Sequence, residues 1–121
     1  MKKSCIIIED NPAYVKVLEN YIGRLEYLEI VGVYPDSIGA AMSIFRNNPD
    51  LIFLDVGISG LSGPEMLETI EVKPKTIVVS NHPQESIEFL GNHIDAFIQK
   101  PVKFETFKET VEDVLVDTLS D

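Results

Sequence analysis

The run Leu51-Ile52-Phe53-Leu54-Asp55 is four apolar residues closed by an aspartate. Three other apolar runs end in the same way. Cys5-Ile6-Ile7-Ile8 is followed by Glu9-Asp10, Ile77-Val78-Val79 by Ser80, and Phe97-Ile98 leads to Lys100. A short buried strand with polar residues only at its C-terminal end is the pattern of an open parallel α/β sheet. In such sheets the ligand crevice lies outside the carboxyl ends of the strands. An acidic pair, an aspartate, a hydroxyl and a lysine are therefore expected at one end of one sheet.

The segments between these runs read as helices. Asn11-Pro12 supplies an N-cap with proline at the first helical position, and Val15, Leu18, Ile22 and Leu25 follow at spacings of three and four. Residues 29–33 read as a second strand. Asp36-Ser37 opens a helix carrying Ala41, Ile44 and Phe45, and Asn47-Asn48-Pro49 ends it. Ser62-Gly63-Pro64-Glu65 is a capping box that starts a third helix. A short fourth helix is expected near residues 84–91, and the fifth over 104–119, with Phe107, Val111, Val114 and Leu115 on its core side. With strands at 4–9, 51–55, 75–80 and 95–99, this gives β-α five times over. The expected fold is α/β, a (βα)5 doubly wound five-stranded parallel sheet of order 2-1-3-4-5 with helices on both faces. That order sets the first and third strands side by side, so Glu9, Asp10 and Asp55 converge although 45 positions separate Asp10 from Asp55. The second strand lies off the crevice, which accounts for the uncharged end around Gly32-Val33.

Composition narrows the function classes. The 121 residues are enough for one domain with one core, and no linker divides them. With 20 acidic and 10 basic residues the formal charge is −10, which disfavours direct binding to nucleic acid or to anionic membranes. Cys5 is the only cysteine, so no intramolecular disulfide forms, and its apolar surroundings suit a buried thiol. No apolar stretch approaches the ~18 residues of a transmembrane helix, and Met1-Lys2-Lys3 leads straight into a strand rather than a signal peptide. A cytoplasmic location is expected.

Three carboxylates in one place repel one another, by about 4 kcal/mol per pair at ~4 Å and an effective dielectric near 20. Such a cluster holds protons at raised pKa or binds a cation. Oxygen-only ligands select a hard cation, and Mg2+ suits a few carboxylates plus water plus a phosphate oxygen. Lys100 can track one phosphoryl oxygen and the Ser80 hydroxyl can donate to another. Together with a carboxylate nucleophile these groups make a site for forming an aspartyl phosphate. Each signal also has an ordinary reading. The acidic pair suits a helix N-terminus, Asp55 a turn before glycine, Ser80 a cap, and Phe97 a core position. Their order at successive strand ends is what points to a site.

On these residues the chain resembles the receiver domain of two-component response regulators, whose fold is flavodoxin-like, over essentially all 121 residues. Glu9-Asp10 matches the family's metal-binding pair, Asp55 its phosphoacceptor, Ser80 its hydroxyl position and Lys100-Pro101 its lysine–proline signature. Phe97, three before the lysine, matches the aromatic switch position, and Gly63 lies eight after Asp55, where the family has glycine. The resemblance implies Mg2+ held by Glu9, Asp10, Asp55 and the backbone carbonyl of Gly57. It also implies a cis Lys100-Pro101 bond and phosphoryl transfer from a sensor histidine kinase. Switching through Ser80 and Phe97 would act on the surface of the fourth helix, fifth strand and fifth helix, a homodimer or partner interface in relatives. Catalysis would be limited to self-phosphorylation and autodephosphorylation.

Phe53-Leu54-Asp55, Gly60-Leu61-Ser62-Gly63 and the short run from Asp55 to Ser80 are most similar to receivers of LytTR-type transcription regulators. Residues 1–121 are expected to be a single receiver domain, with any DNA-binding output domain outside the chain. Ile58-Ser59, Asn81, His82 and the small Gly57 depart from the family pattern. The open side at Gly57 is expected to admit water and shorten the phosphoryl lifetime. The alternatives are a phosphorylation-independent pseudo-receiver acting as an interaction module, and a flavodoxin-like cofactor binder. Glu9-Asp10 carries the wrong charge for the phosphate loop of the latter.

Overall fold

The computed structural model describes residues 2–55, 74–81 and 94–119. Five strands form one parallel sheet in the order β2-β1-β3-β4-β5. They are β1 (Lys3–Ile8), β2 (Leu28–Tyr34), β3 (Leu51–Leu54), β4 (Lys75–Ser80) and β5 (Ala96–Gln99). Three helices are described: α1 (Pro12–Gly23), α2 (Ser37–Asn47) and α3 (Phe104–Leu119). Sheet order and strand direction are those expected from the sequence, and strand boundaries differ by a residue or so at either end. The helices expected from Ser62 and near 84–91 lie outside the described residues.

The sheet is buried on both faces because alternate residues of each strand feed two separate cores. Cys5 and Ile7 of β1 join Phe53, Ile77, Val79 and Ile98 under α1 and α3, with Leu18, Ile22, Phe107, Val111 and Leu115 facing them. Ile6 and Ile8 point the other way and join Ile52, Leu54 and Val78 under Ala40 and Ile44 of α2. Phe107 stacks on Phe53 with ring centroids 5.2 Å apart, which fixes α3 over the middle of the sheet. Each large side chain so buried contributes about 1.5–3 kcal/mol.

The caps work as their residues imply. The Asn11 side chain accepts from Ala13 N–H, with Pro12 at the first helical position of α1. Asp36 accepts from Gly39 N–H at the start of α2. Asn48 ends α2 in the left-handed region at φ 47°. Two of the apolar residues expected on α2 point to different sides. Ile44 is buried, but Phe45 is 89% exposed and forms an outward stripe with Ile38 and Met42. Successive residues on a helix project about 100° apart, and here that step carries Phe45 out of the buried stripe that holds Ile44.

β2 is the edge strand next to β1. Its register with β1 slips after Cys5↔Ile30, so that Ile6 pairs Gly32 and Val31 is the unpaired extra residue.

Candidate functional site

The sheet order brings the ends of β1 and β3 together. Asp55, the first residue after β3, donates its backbone N–H to Ile8 O at the end of β1 across 2.9 Å. Glu9 and Asp10 follow directly from Ile8. Glu9 turns inward and is 3% exposed, whereas Asp10 faces solvent. The backbone N–H of Asn11 donates to Glu9 Oε2 at 3.1 Å, so the turn into α1 orients the carboxylate. Glu9, Asp10 and Asp55 each offer an oxygen, and these oxygens lie within 4.8 Å of one another. The convergence expected from the sequence is present.

Lys100 reaches the cluster from β5. Its backbone N–H donates to Ser80 O at 2.8 Å, tying the ends of β4 and β5 together, and the Lys100-Pro101 bond is cis. The ammonium donates to Glu9 Oε1 at 2.6 Å and lies 3.9 Å from Asp55 Oδ1. It also sits 4.1 Å from the centroid of the Tyr14 ring. The side chains of Lys100 and Glu9 are almost wholly buried, and that of Asp55 is 15% exposed. Burial is the main force pushing the Asp55 carboxyl up to about 7. The Glu9 charge adds to it, Lys100 pulls the other way, and a hydrogen bond to Glu9 and the Asp10 charge add smaller upward pushes. A carboxyl in that position is poised between a proton and a cation.

The donor set fits a hard divalent cation. It consists of carboxylate oxygens alone among the clustered groups, with Asp10 open to water on one side. The arrangement brings a cluster of three carboxylates that could hold a cation and a lysine into one small volume.

Of the remaining expected site residues, Ser80 is fully buried where β4 ends, and its neighbour Asn81 is exposed. Phe97 is half-buried on β5, paired with Val78 and packed against the core under α2. Gly57, Ile58, Ser59, Gly60, Leu61, Ser62, Gly63 and His82 lie outside the described residues. Tyr14 is the participant that sequence reasoning did not pick out. The available signal was an aromatic residue in the first turn of a helix that starts directly after an acidic pair.

A family model described as the response regulator receiver domain matches residues 5–112. The chain belongs to the response regulator receiver family. An uncharacterized response regulatory protein of Shewanella oneidensis is 24% identical over 116 residues, covering 94% of this chain and 49% of that protein. The receiver chain thus spans about half the length of the first curated relatives it matches. Among solved structures, a DNA-binding response regulator of the LuxR family from Staphylococcus aureus is similar at TM-score 0.83 and 26% identity. The match covers 93% of this chain and 98% of that one. The response regulatory domain of protein mrkE from Klebsiella pneumoniae shares the fold at TM-score 0.85 and 21% identity, over 98% and 99% of the two chains. These receivers have the same kind of five-stranded α/β fold. No helix among the described residues is long and apolar enough to cross a membrane.

Proposed function

We propose that this receiver domain accepts a phosphoryl group on Asp55 from a sensor histidine kinase and passes the signal on through its surface. The observation that carries the reading is the Asp55 carboxylate set between the acidic pair and the Lys100 ammonium, 3.9 Å away. A carboxylate oxygen of Asp55 attacks the phosphorus of the kinase's phosphohistidine, and the P–N bond breaks as the new P–O bond forms. Glu9, Asp10, Asp55 and the Gly57 carbonyl would hold Mg2+, which when bound neutralises charge on the transferring oxygens. Lys100 pairs with one phosphoryl oxygen, and the Ser80 hydroxyl donates to another.

Ser80 and Phe97 are the switch in this reading. Drawing Ser80 toward the phosphoryl group opens space beside β4, and the half-buried Phe97 on the paired strand turns into it. That shifts the population between two packings of the surface formed by the residues near 84–91, β5 and α3. The same surface takes a second phosphorylated copy or an output partner. Residues 1–121 act as one domain that does not itself bind nucleic acid, in keeping with a charge of −10. Its catalysis is confined to its own phosphorylation and dephosphorylation.

The output proposed is transcription, through a separate DNA-binding domain. A DNA-binding response regulator at 26% identity supports it, as does the greater length of the curated relatives. The LytTR type rests on Phe53-Leu54-Asp55 and Gly60-Leu61-Ser62-Gly63.

The test is the intact mass of the protein after incubation with acetyl phosphate and Mg2+. One added phosphoryl group is expected in the native chain, and none in Asp55→Asn or without Mg2+. Absence of an adduct, together with no binding of beryllium fluoride, would overturn the reading in favour of a phosphorylation-independent interaction module.

A further inference from the structure

The lysine of this site has a choice of carboxylates. Its flexible stem carries a compact ammonium with three rotatable donors, and both Glu9 Oε1 and Asp55 Oδ1 are within reach, at 2.6 and 3.9 Å. The third contact of the ammonium is the face of the Tyr14 ring, 4.1 Å from the centroid. An aromatic face presents the negative side of its quadrupole to a cation, and the attraction grows as water is excluded. Here the Lys100 side chain is 4% exposed.

The ring is itself held in place. Tyr14 lies in the first turn of α1, where its N–H donates to Asn11 O at 3.1 Å and the Asn11 side chain caps Ala13 N–H at 2.9 Å. The body of the ring packs against the core beneath α1. The turn that begins with the acidic pair thus also delivers the aromatic face that covers the lysine.

We propose that Tyr14 is a positioning residue whose ring holds the Lys100 ammonium on Glu9, making the lysine an internal competitor of the divalent cation for the acidic cluster. The proposal rests on the phosphoryl-transfer reading for the role of that cation, and adds a control on how readily the site is loaded. With the ring in place, a cation must draw Glu9 away from a lysine bound on two sides. With the ring removed, the ammonium keeps, among the described residues, its carboxylates alone and yields more easily.

The experiment compares the native protein with Tyr14→Leu, Tyr14→Phe and Tyr14→Trp by NMR and by Mg2+ titration calorimetry. Without metal, the Lys100 side-chain protons are expected upfield of the other lysines in the native protein, shifted by the ring current. Tyr14→Phe keeps that displacement and Tyr14→Leu abolishes it. Tyr14→Leu is expected to bind Mg2+ about two- to thirtyfold more tightly than the native chain, the range a single cation–π contact supports from exposed to desolvated sites. Tyr14→Phe is expected to match the native affinity, and Tyr14→Trp to bind Mg2+ more weakly. The Trp variant reads the same contact in the opposite direction if Tyr14→Leu does not fold. Lys100 protons at ordinary lysine positions in the native protein, or a Mg2+ affinity indifferent to the ring, would overturn the proposal. Failure of the native chain to take up phosphate would overturn the phosphoryl-transfer reading alone, because neither the ring-current shift nor the Mg2+ affinity depends on it.

Discussion

The Lys100 ammonium is bonded to Glu9, not to Asp55: it donates to Glu9 Oε1 across 2.6 Å and stands 3.9 Å from Asp55 Oδ1. The pair joins residues 91 positions apart and closes the crevice end of β1 against that of β5. Two ions this deeply buried carry a desolvation cost that their attraction offsets only while both are present.

Breaking the pair from one side is therefore worse than removing it whole. Lys100→Met is expected to destabilise the metal-free domain by about 3–5 kcal/mol, since it leaves the Glu9 carboxylate buried and uncompensated. The double variant Glu9→Gln/Lys100→Met should recover most of that loss. Urea denaturation of the native protein, both single variants and the double variant forms the cycle. Additive losses would mean that the two side chains are not energetically coupled.

The Asp55 carboxyl gives the metal-free domain an unusual pH dependence. Its pKa is raised from the ordinary 3.8 to about 7 on folding, chiefly by burial and then by Glu9. Between those values the folded state keeps a proton that the unfolded chain has released. Stability from this group is complete below the unfolded pKa, falls as pH rises through that window, and is gone above about 7. Asp55→Asn lacks this dependence. In melting experiments with a chelator present, Asp55→Asn should gain on the native protein steadily from pH 4 to 7.5 and be the more stable at the upper end. A difference that does not change with pH would count against the raised pKa.

How much of this was legible depended on how local each cause is. Buried parallel strands read as continuous apolar runs, so Ile6-Ile7-Ile8 and Leu51-Ile52-Phe53-Leu54 announced themselves, and the polar residues that stop them marked the crevice. Sheet order followed from the common doubly wound arrangement and placed Asp10 beside Asp55. The partner of Lys100 did not follow, because nothing in the spacing distinguishes Glu9 from Asp55. Glu9 accepts from the nearby Asn11 N–H and the Tyr14 ring lies against the ammonium, and neither contact can be read from the spacing of the charged residues. Phe45 was equally opaque. An apolar residue beside the core-facing Ile44 looks the same in sequence whichever way it points.

Cys5 provides a probe of β1, an interior strand of the sheet. Its thiol is fully buried, and burial, with a smaller push from Glu29, raises it to about 12. The thiolate is the reactive form, so alkylation at pH 8 should run roughly a thousandfold slower in the native protein than in concentrated urea. Intact-mass time courses with iodoacetamide measure both rates. Rapid native labelling would mean that β1 opens locally far more often than an interior strand should.

The chain reverses from α2 into β3 through Asn48, and the geometry of that reversal sets where Asp55 arrives. Asn48 adopts φ 47° and ψ 58° while its N–H donates to Ile44 O at 3.0 Å. Two residues on, Asp50 accepts the Ser4 backbone N–H at 2.8 Å and leads directly into β3. A side chain with a Cβ resists the left-handed region, asparagine less than most, and glycine not at all. Asn48→Ala should therefore cost about 1 kcal/mol, lowering the melting temperature by about 4 °C, whereas Asn48→Gly should be neutral within a few tenths of a kcal/mol. If the two variants melt together, the loss arises from the asparagine side chain's own contacts rather than from the backbone angle it tolerates.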